Sequence, residues 1–203
     1  MVENTPDTVS AERKLELIVL MGKSIGPIGM CGGQVMDLEC EGKEGVTIDD
    51  LRWIHHHKTA ALLELAAVGG GIAGGANKEE VEALSTFAVD IGLAFQVADD
   101  ILDVTQTSEE LGKTAAKDLD ADKTTFPKLM GLDESREEVR RLIEEAKVSL
   151  DRFGDKAQPL LTIANMAVLM ASNSTVLTVS KSSPQWRKSP ALCEENGRQA
   201  REV

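Results

Sequence analysis

The segment Asn77 to Val104, "NKEEVEALSTFAVDIGLAFQVADDILDV", decides the fold. Its apolar residues Val81, Leu84, Phe87, Ala88, Ile91, Phe95 and Ala98 recur at three- and four-residue steps toward Leu102, the spacing of one helix face. The end of that helix carries Asp99, Asp100 and Asp103 beside the apolar stripe. Asp99 and Asp103 are four residues apart and share a face, with Asp100 displaced but close. Like charges at this spacing cost about a few tenths of a kcal/mol on an exposed helix, and more where water is excluded. A hard divalent cation such as Mg²⁺ would compensate, because it takes oxygen ligands and shares its sites between one or two carboxylates, water and substrate phosphates. Lys58, Lys113, Lys117 and Lys123 in neighbouring segments supply point charges suited to a diphosphate. Acidic helix and lysines together point to metal-bridged diphosphate binding. A solvated acidic face with surface lysines is the alternative.

Outward from this helix, the 203-residue chain reads as one helical domain. Only 3% of residues are aromatic and none is Tyr, which favours helices over a sandwich or barrel. Helices are expected over Ala11 to Met21, from "GGQVMDLE", after an N-cap at Thr47, and over Ser135 to Phe153 and Lys156 to Met170. Asp49 and Asp50 suit the first turn after Thr47, where acids complement the helix dipole. "GGGIAGGANKEE" reads as a break, Thr105 to Leu132 as a polar loop in which Pro127 limits helix, and 171–203 as a disordered tail.

A net charge of −12 excludes broad contact with nucleic-acid phosphates. Cys31, Cys40 and Cys193 form no CxxC pair, so neither a disulfide framework nor a zinc site is expected. Residues 1–17 carry early acids and no apolar core of a targeting segment. "TAALLELAAVGGGIAGGA" holds Glu64 and five glycines, and reads as a buried helix and turn, not a membrane span. Gly69 to Gly74 matches G-x-G-x-x-G, but an alanine-rich helix precedes it where a dinucleotide site needs a strand. Gly112-Lys113-Thr114 lacks the earlier glycine of a phosphate loop, since Thr107 stands there. His55-His56-His57 cannot converge on one ion, because successive helical residues point about 100° apart.

The blocks "GGQVMDL", "IHHHKTAALLE", "IGLAFQVADDILDVT", "ELGKTAAKDLDADKTTFPKLMG" and "AKVSLDRFGDKAQPLLTIAN" stand in the order and spacing of trans-prenyl diphosphate synthases. Over residues 14–166 the chain resembles the plant-type geranylgeranyl diphosphate synthases. The resemblance implies an all-α isoprenoid-synthase fold, a homodimer or a heterodimer with a related synthase, and Mg²⁺ as cofactor. The reaction it implies joins isopentenyl diphosphate to an allylic diphosphate, here farnesyl diphosphate to geranylgeranyl diphosphate. Carried over by residue, Asp99, Asp100 and Asp103 would hold Mg²⁺. Lys58, Thr59 and Gln96 would be catalytic and, with Lys113 and Lys123, would contact the allylic diphosphate. Gln34 and Asp37 would line the cavity, with Phe95 beside them as a packing side chain. A plastid location is implied, with the cytoplasm as alternative.

The family's first aspartate-rich motif and its arginines have no counterpart in residues 1–33, and its basic end has none after Asn165. The expectation is therefore an incomplete isoprenoid-synthase domain over residues 1–170, inactive or weak as this chain. A non-catalytic partner subunit that modulates a complete synthase is the alternative.

Overall fold

A computed structural model describes residues 5–105 and 123–171, all helical or in short connections, with no strand among them. Eight α-helices follow in order: α1 Ala11–Ile25, α2 Met30–Cys40, α3 Ile48–His55, α4 Ala61–Gly74, α5 Lys78–Thr105, α6 Phe126–Met130, α7 Leu132–Ser149 and α8 Gln158–Ala171. A single π-helical turn, His56–Ala60, joins α3 to α4, and a 3₁₀ segment, Asp151–Ala157, leads into α8.

The 28-residue α5 is the centre of the bundle. Leu84, Phe87, Ile91, Val97 and Ile101 bury its inner face against Val139, Leu142, Ile143 and Ala146 of α7, and α4 and α8 also pack on it. By length and composition α5 could cross a membrane, as could the stretch Ala11–Cys40. The burial of its apolar stripe among other helices explains that composition instead.

The N-termini are set locally. Thr47 Oγ1 accepts from Asp50 N at 3.2 Å while Asp50 Oδ2 accepts from Thr47 N at 2.9 Å, so the N-cap expected at Thr47 is made and Asp50 completes it as a reciprocal cap. Asn77 and Glu80 do the same for α5, at 2.9 and 2.8 Å. Ser10 caps α1 through Arg13 N.

Two expected breaks are helical instead. Residues Gly69 to Gly74 continue α4, which stops only at Gly75, where φ is 93°. There Ala76 N donates to Gly71 O at 2.8 Å and Gly75 N to Ile72 O at 3.2 Å, a Schellman end. At one of these glycines α5 comes close: a Cβ on Gly71 would stand 2.5 Å from Leu84 Cδ1. Pro127 likewise starts α6 rather than preventing it, since the first turn of a helix needs no N–H from its proline. The tail beyond residue 171 and the segment 106–122, with Lys113 and Lys117, lie outside the described residues.

Candidate diphosphate and cation site

The π turn is wedged between two helices by glycines. A Cβ on Gly33 of α2 would lie 2.3 Å from Lys58 N, and one on Gly92 of α5 would lie 2.6 Å from Ala60 Cα. Only bare backbone on both sides lets the turn sit there. Single π turns are frequent at functional sites, and this one carries Lys58 and Thr59.

From it Lys58 Nζ donates to Asp37 Oδ2, across 21 residues of sequence. Asp37 is buried on α2, and its other oxygen lies 4.0 Å from Lys123 Nζ, just before α6. One carboxylate thus holds two ammonium groups in register. Both are partly open to solvent, at 29% and 39% exposure. Gln34, one turn before Asp37, is exposed; Thr59 and Gln96 are half-buried.

The three aspartates of α5 divide. Asp99 and Asp103 are exposed on the same face, one turn apart, whereas Asp100 is turned inward at 3% exposure. Asp100 Oδ2 accepts from Phe126 N at 3.0 Å and lies 3.8 Å from His55 Nε2. The rings of His55 and Phe126 stack, with centroids 5.3 Å apart. Burial pushes the Asp100 carboxyl up to about 6, opposed by the Phe126 N–H and Lys123, and reinforced by Asp103 and Asp99. Burial also pulls His55 down to about 4, helped by Lys123 and Lys58 and opposed by Asp37. His55 is therefore neutral near pH 7. The two clusters are electrically one, because Lys123 acts on Asp37, Asp100 and His55 alike.

Neither cluster forms a ready-made metal cage: among the described residues no group of three His, Cys, Asp or Glu side chains is placed to hold an ion. Two exposed carboxylates on one helix face do fit Mg²⁺, which keeps several waters and takes one or two protein carboxylates plus phosphate oxygens. Phe95, expected to pack, is 38% exposed on the same end of α5.

His55 was not a candidate from sequence, yet the spacing Leu51, Ile54, His55 places it on the buried face of α3. His57 instead stacks on Trp53, at 3.8 Å, with Nδ1 2.7 Å from Trp53 O, so the three histidines diverge as expected. Phe126 had no sequence signal as a contributor, since what it offers is a backbone N–H.

With the lysines, the carboxylates and the glycine-bounded turn in these places, comparison with known proteins is decisive. The model of the polyprenyl synthetase family matches residues 5–158. The chain belongs to this family. Among relatives, it is 52% identical over 158 residues to the chloroplastic geranylgeranyl pyrophosphate synthase of Catharanthus roseus, covering 77% of this chain and 44% of that protein. It is 52% identical over 162 residues to the chloroplastic heterodimeric geranylgeranyl pyrophosphate synthase large subunit 1 of Arabidopsis thaliana, covering 78% and 44%. An FPP/GFPP synthase from Zymomonas mobilis superposes with a TM-score of 0.68 at 32% identity, covering 78% of this chain and 52% of that one. A geranyltransferase from Helicobacter pylori, complexed with magnesium and isoprenyl diphosphate, gives 0.62 at 35%, covering 79% and 52%. The chain spans less than half the length of the curated relatives it matches. The family match and these folds agree with the all-α isoprenoid-synthase architecture.

Proposed function

We propose that this chain forms the allylic-diphosphate wall of a prenyltransferase that joins isopentenyl diphosphate to farnesyl diphosphate, giving geranylgeranyl diphosphate. The observation that carries this is Asp37 holding Lys58 and Lys123 together, on the same assembly as the exposed carboxylates Asp99 and Asp103. Lys58 and Lys123 bind the diphosphate as point charges, and Thr59 and Gln96 orient it by hydrogen bonds; Lys113, outside the described residues, is assigned to the same diphosphate by the family resemblance alone. Asp99 and Asp103 would hold Mg²⁺, which when bound would supply positive charge against the diphosphate. The neutral His55 and the apolar face of α5 keep water from the inner side of the site. Gln34 and Phe95 are assigned with Asp37 to the cavity wall by the family resemblance, and there Asp37 serves the two ammonium groups.

On this reading the isolated chain grips substrate from one wall and turns over slowly or not at all. The relatives named chloroplastic support a plastid location, and the relative named a heterodimeric large subunit supports pairing with a second synthase chain. Purified chain titrated calorimetrically with farnesyl diphosphate is expected to bind in the presence of Mg²⁺, and Lys58→Ala is expected to weaken binding at least tenfold. Absence of binding by the parent chain with Mg²⁺ would overturn the proposal, and turnover at an ordinary enzymatic rate would overturn the prediction of weak activity.

A second reading, a non-catalytic partner of a complete synthase, is favoured by one observation. Leu15, Ile18, Val19 and Ile25 of α1, Ile28, and Val35 and Leu38 of α2 are exposed apolar residues on two successive helices, more than lone surface residues explain. Co-purification with a complete synthase and an altered product distribution would support it.

A further inference from the structure

We propose that Asp100 is a positioning residue and not a cation ligand: it fixes the start of α6 and thereby places Lys123 beside Asp37. This rests on the diphosphate reading above.

α6 begins at Phe126, whose N–H is one of the donors a helix leaves without an intrahelical partner. The preceding residue, Thr125, is the ordinary place for a capping side chain, but it makes no cap bond, and its buried Oγ1 has no hydrogen-bond partner among the described residues. Asp100 supplies the missing acceptor from a different helix, 26 residues earlier, in a buried bond of 3.0 Å. The Phe126 ring is 1% exposed and stacked on His55, so the anchor is held from both sides.

Lys123 stands three residues before this anchor, with its carbonyl also held by Lys128 Nζ at 2.6 Å. Its ammonium reaches to 4.0 Å from Asp37. Fixing Phe126 therefore limits where the Lys123 charge can go. The Asp100 side chain is 4% exposed, which leaves no room for the waters that a Mg²⁺ ion retains. Asp99 and Asp103 are exposed to solvent. The motif would then divide its work, with its outer carboxylates facing the cation and its middle one facing the fold.

The test compares Asp99→Asn, Asp103→Asn, Asp100→Asn and Asp100→Ala, using inorganic diphosphate as probe. Asparagine keeps an oxygen that accepts from the Phe126 N–H while removing the charge. Calorimetry with Mg²⁺ and diphosphate is expected to give Asp100→Asn an affinity within about threefold of the parent. Asp99→Asn and Asp103→Asn are expected to lose tenfold or more. Without metal, Asp100→Ala is expected to weaken diphosphate binding about fivefold and Asp100→Asn to restore it. Lys123→Ala should add little in the Asp100→Ala background, because the two changes remove one coupled effect.

Loss in Asp100→Asn equal to that in Asp99→Asn would overturn the positioning role. Failure of the parent itself to bind would overturn the diphosphate reading. Exchange at the Phe126 amide then still decides the positioning role: slow in the parent and Asp100→Asn and fast in folded Asp100→Ala upholds it, and fast exchange in Asp100→Asn overturns it.

Discussion

Replacement of Gly33 by alanine probes the wedge that aims Lys58. The added Cβ would meet Lys58 N at 2.3 Å, His57 C at 2.7 Å and Lys58 Cα at 2.8 Å, all of them backbone atoms. Ordinary heavy-atom contacts sit at roughly 3.5–4.0 Å, so α2 and the π turn must part by about 1 Å. The turn cannot retreat, because Gly92 of α5 already brings Ala60 to the same limit from the other side. Overpacking of this kind costs about 1–3 kcal/mol, and a backbone clash belongs at the upper end. Alanine's better helix propensity returns about 1 kcal/mol, leaving a net loss of roughly 2 kcal/mol. For a chain of this size that lowers Tm by about 4–8 °C. The control is Gly22→Ala in α1, where nothing lies within 4 Å of the added atom. It is expected to gain about 0.5–1 kcal/mol. Thermal melts by circular dichroism, together with Mg²⁺-diphosphate titration, measure both effects. Gly33→Ala should fall in Tm and in diphosphate affinity while Gly22→Ala rises in Tm and keeps its affinity. A Gly33→Ala protein that melts at or above the parent would refute the wedge.

Three further outcomes follow from the packing. Asp90 on α5 is pushed from the ordinary 3.8 up to about 6 by burial and by Glu145, against Arg141. The folded chain therefore holds this proton more tightly than the unfolded one, and the carboxyl lowers stability as pH rises from about 4 to 6, with no further change above. A fully buried carboxyl so shifted would carry roughly 3 kcal/mol, but Asp90 is half-exposed, so Asp90→Asn should gain about 1 kcal/mol at pH 7 and nothing below pH 4, as urea melts at the two pH values will show. Ile101→Ala empties a position with 0% exposure in the last turns of α5. It should cost about 3–4 kcal/mol in the same melts, and a loss under 1 kcal/mol would contradict the core assignment. Ser85 Oγ donates to Glu64 Oε1 at 2.5 Å between α5 and α4, so Ser85→Ala should cost about 1 kcal/mol, a loss that Glu64→Gln diminishes in a double-mutant cycle.

Several elements of this protein are written locally. The period of α5, the reciprocal caps at Thr47 and Asn77, and the shared face of Asp99 and Asp103 follow from residues within four positions of one another, where helix geometry alone sets who meets whom. The ordered motifs carried the family for the same reason, since spacing survives in the sequence. What failed was local composition standing in for packing. Gly69 to Gly74 read as a break because glycine disfavours helix in isolation, yet the segment continues α4, and at Gly71 the closeness of Leu84 on α5 leaves no space for a side chain. Pro127 read as a limit because only its position within α6 reveals that no bond is lost.

The site shows the same division. The sequence by itself determined that acids and lysines suited to a metal-bridged diphosphate exist, and on which helices. Tertiary structure decided that Asp37 joins Lys58 to Lys123, that Asp100 faces inward to Phe126, and that His55 is buried and neutral. Those contacts join residues 21 to 86 positions apart, or depend on a backbone N–H that every residue but proline carries. Spacing can mark which face of a helix is buried, as it does for His55, but which distant residue meets that face is a property of the packed chain.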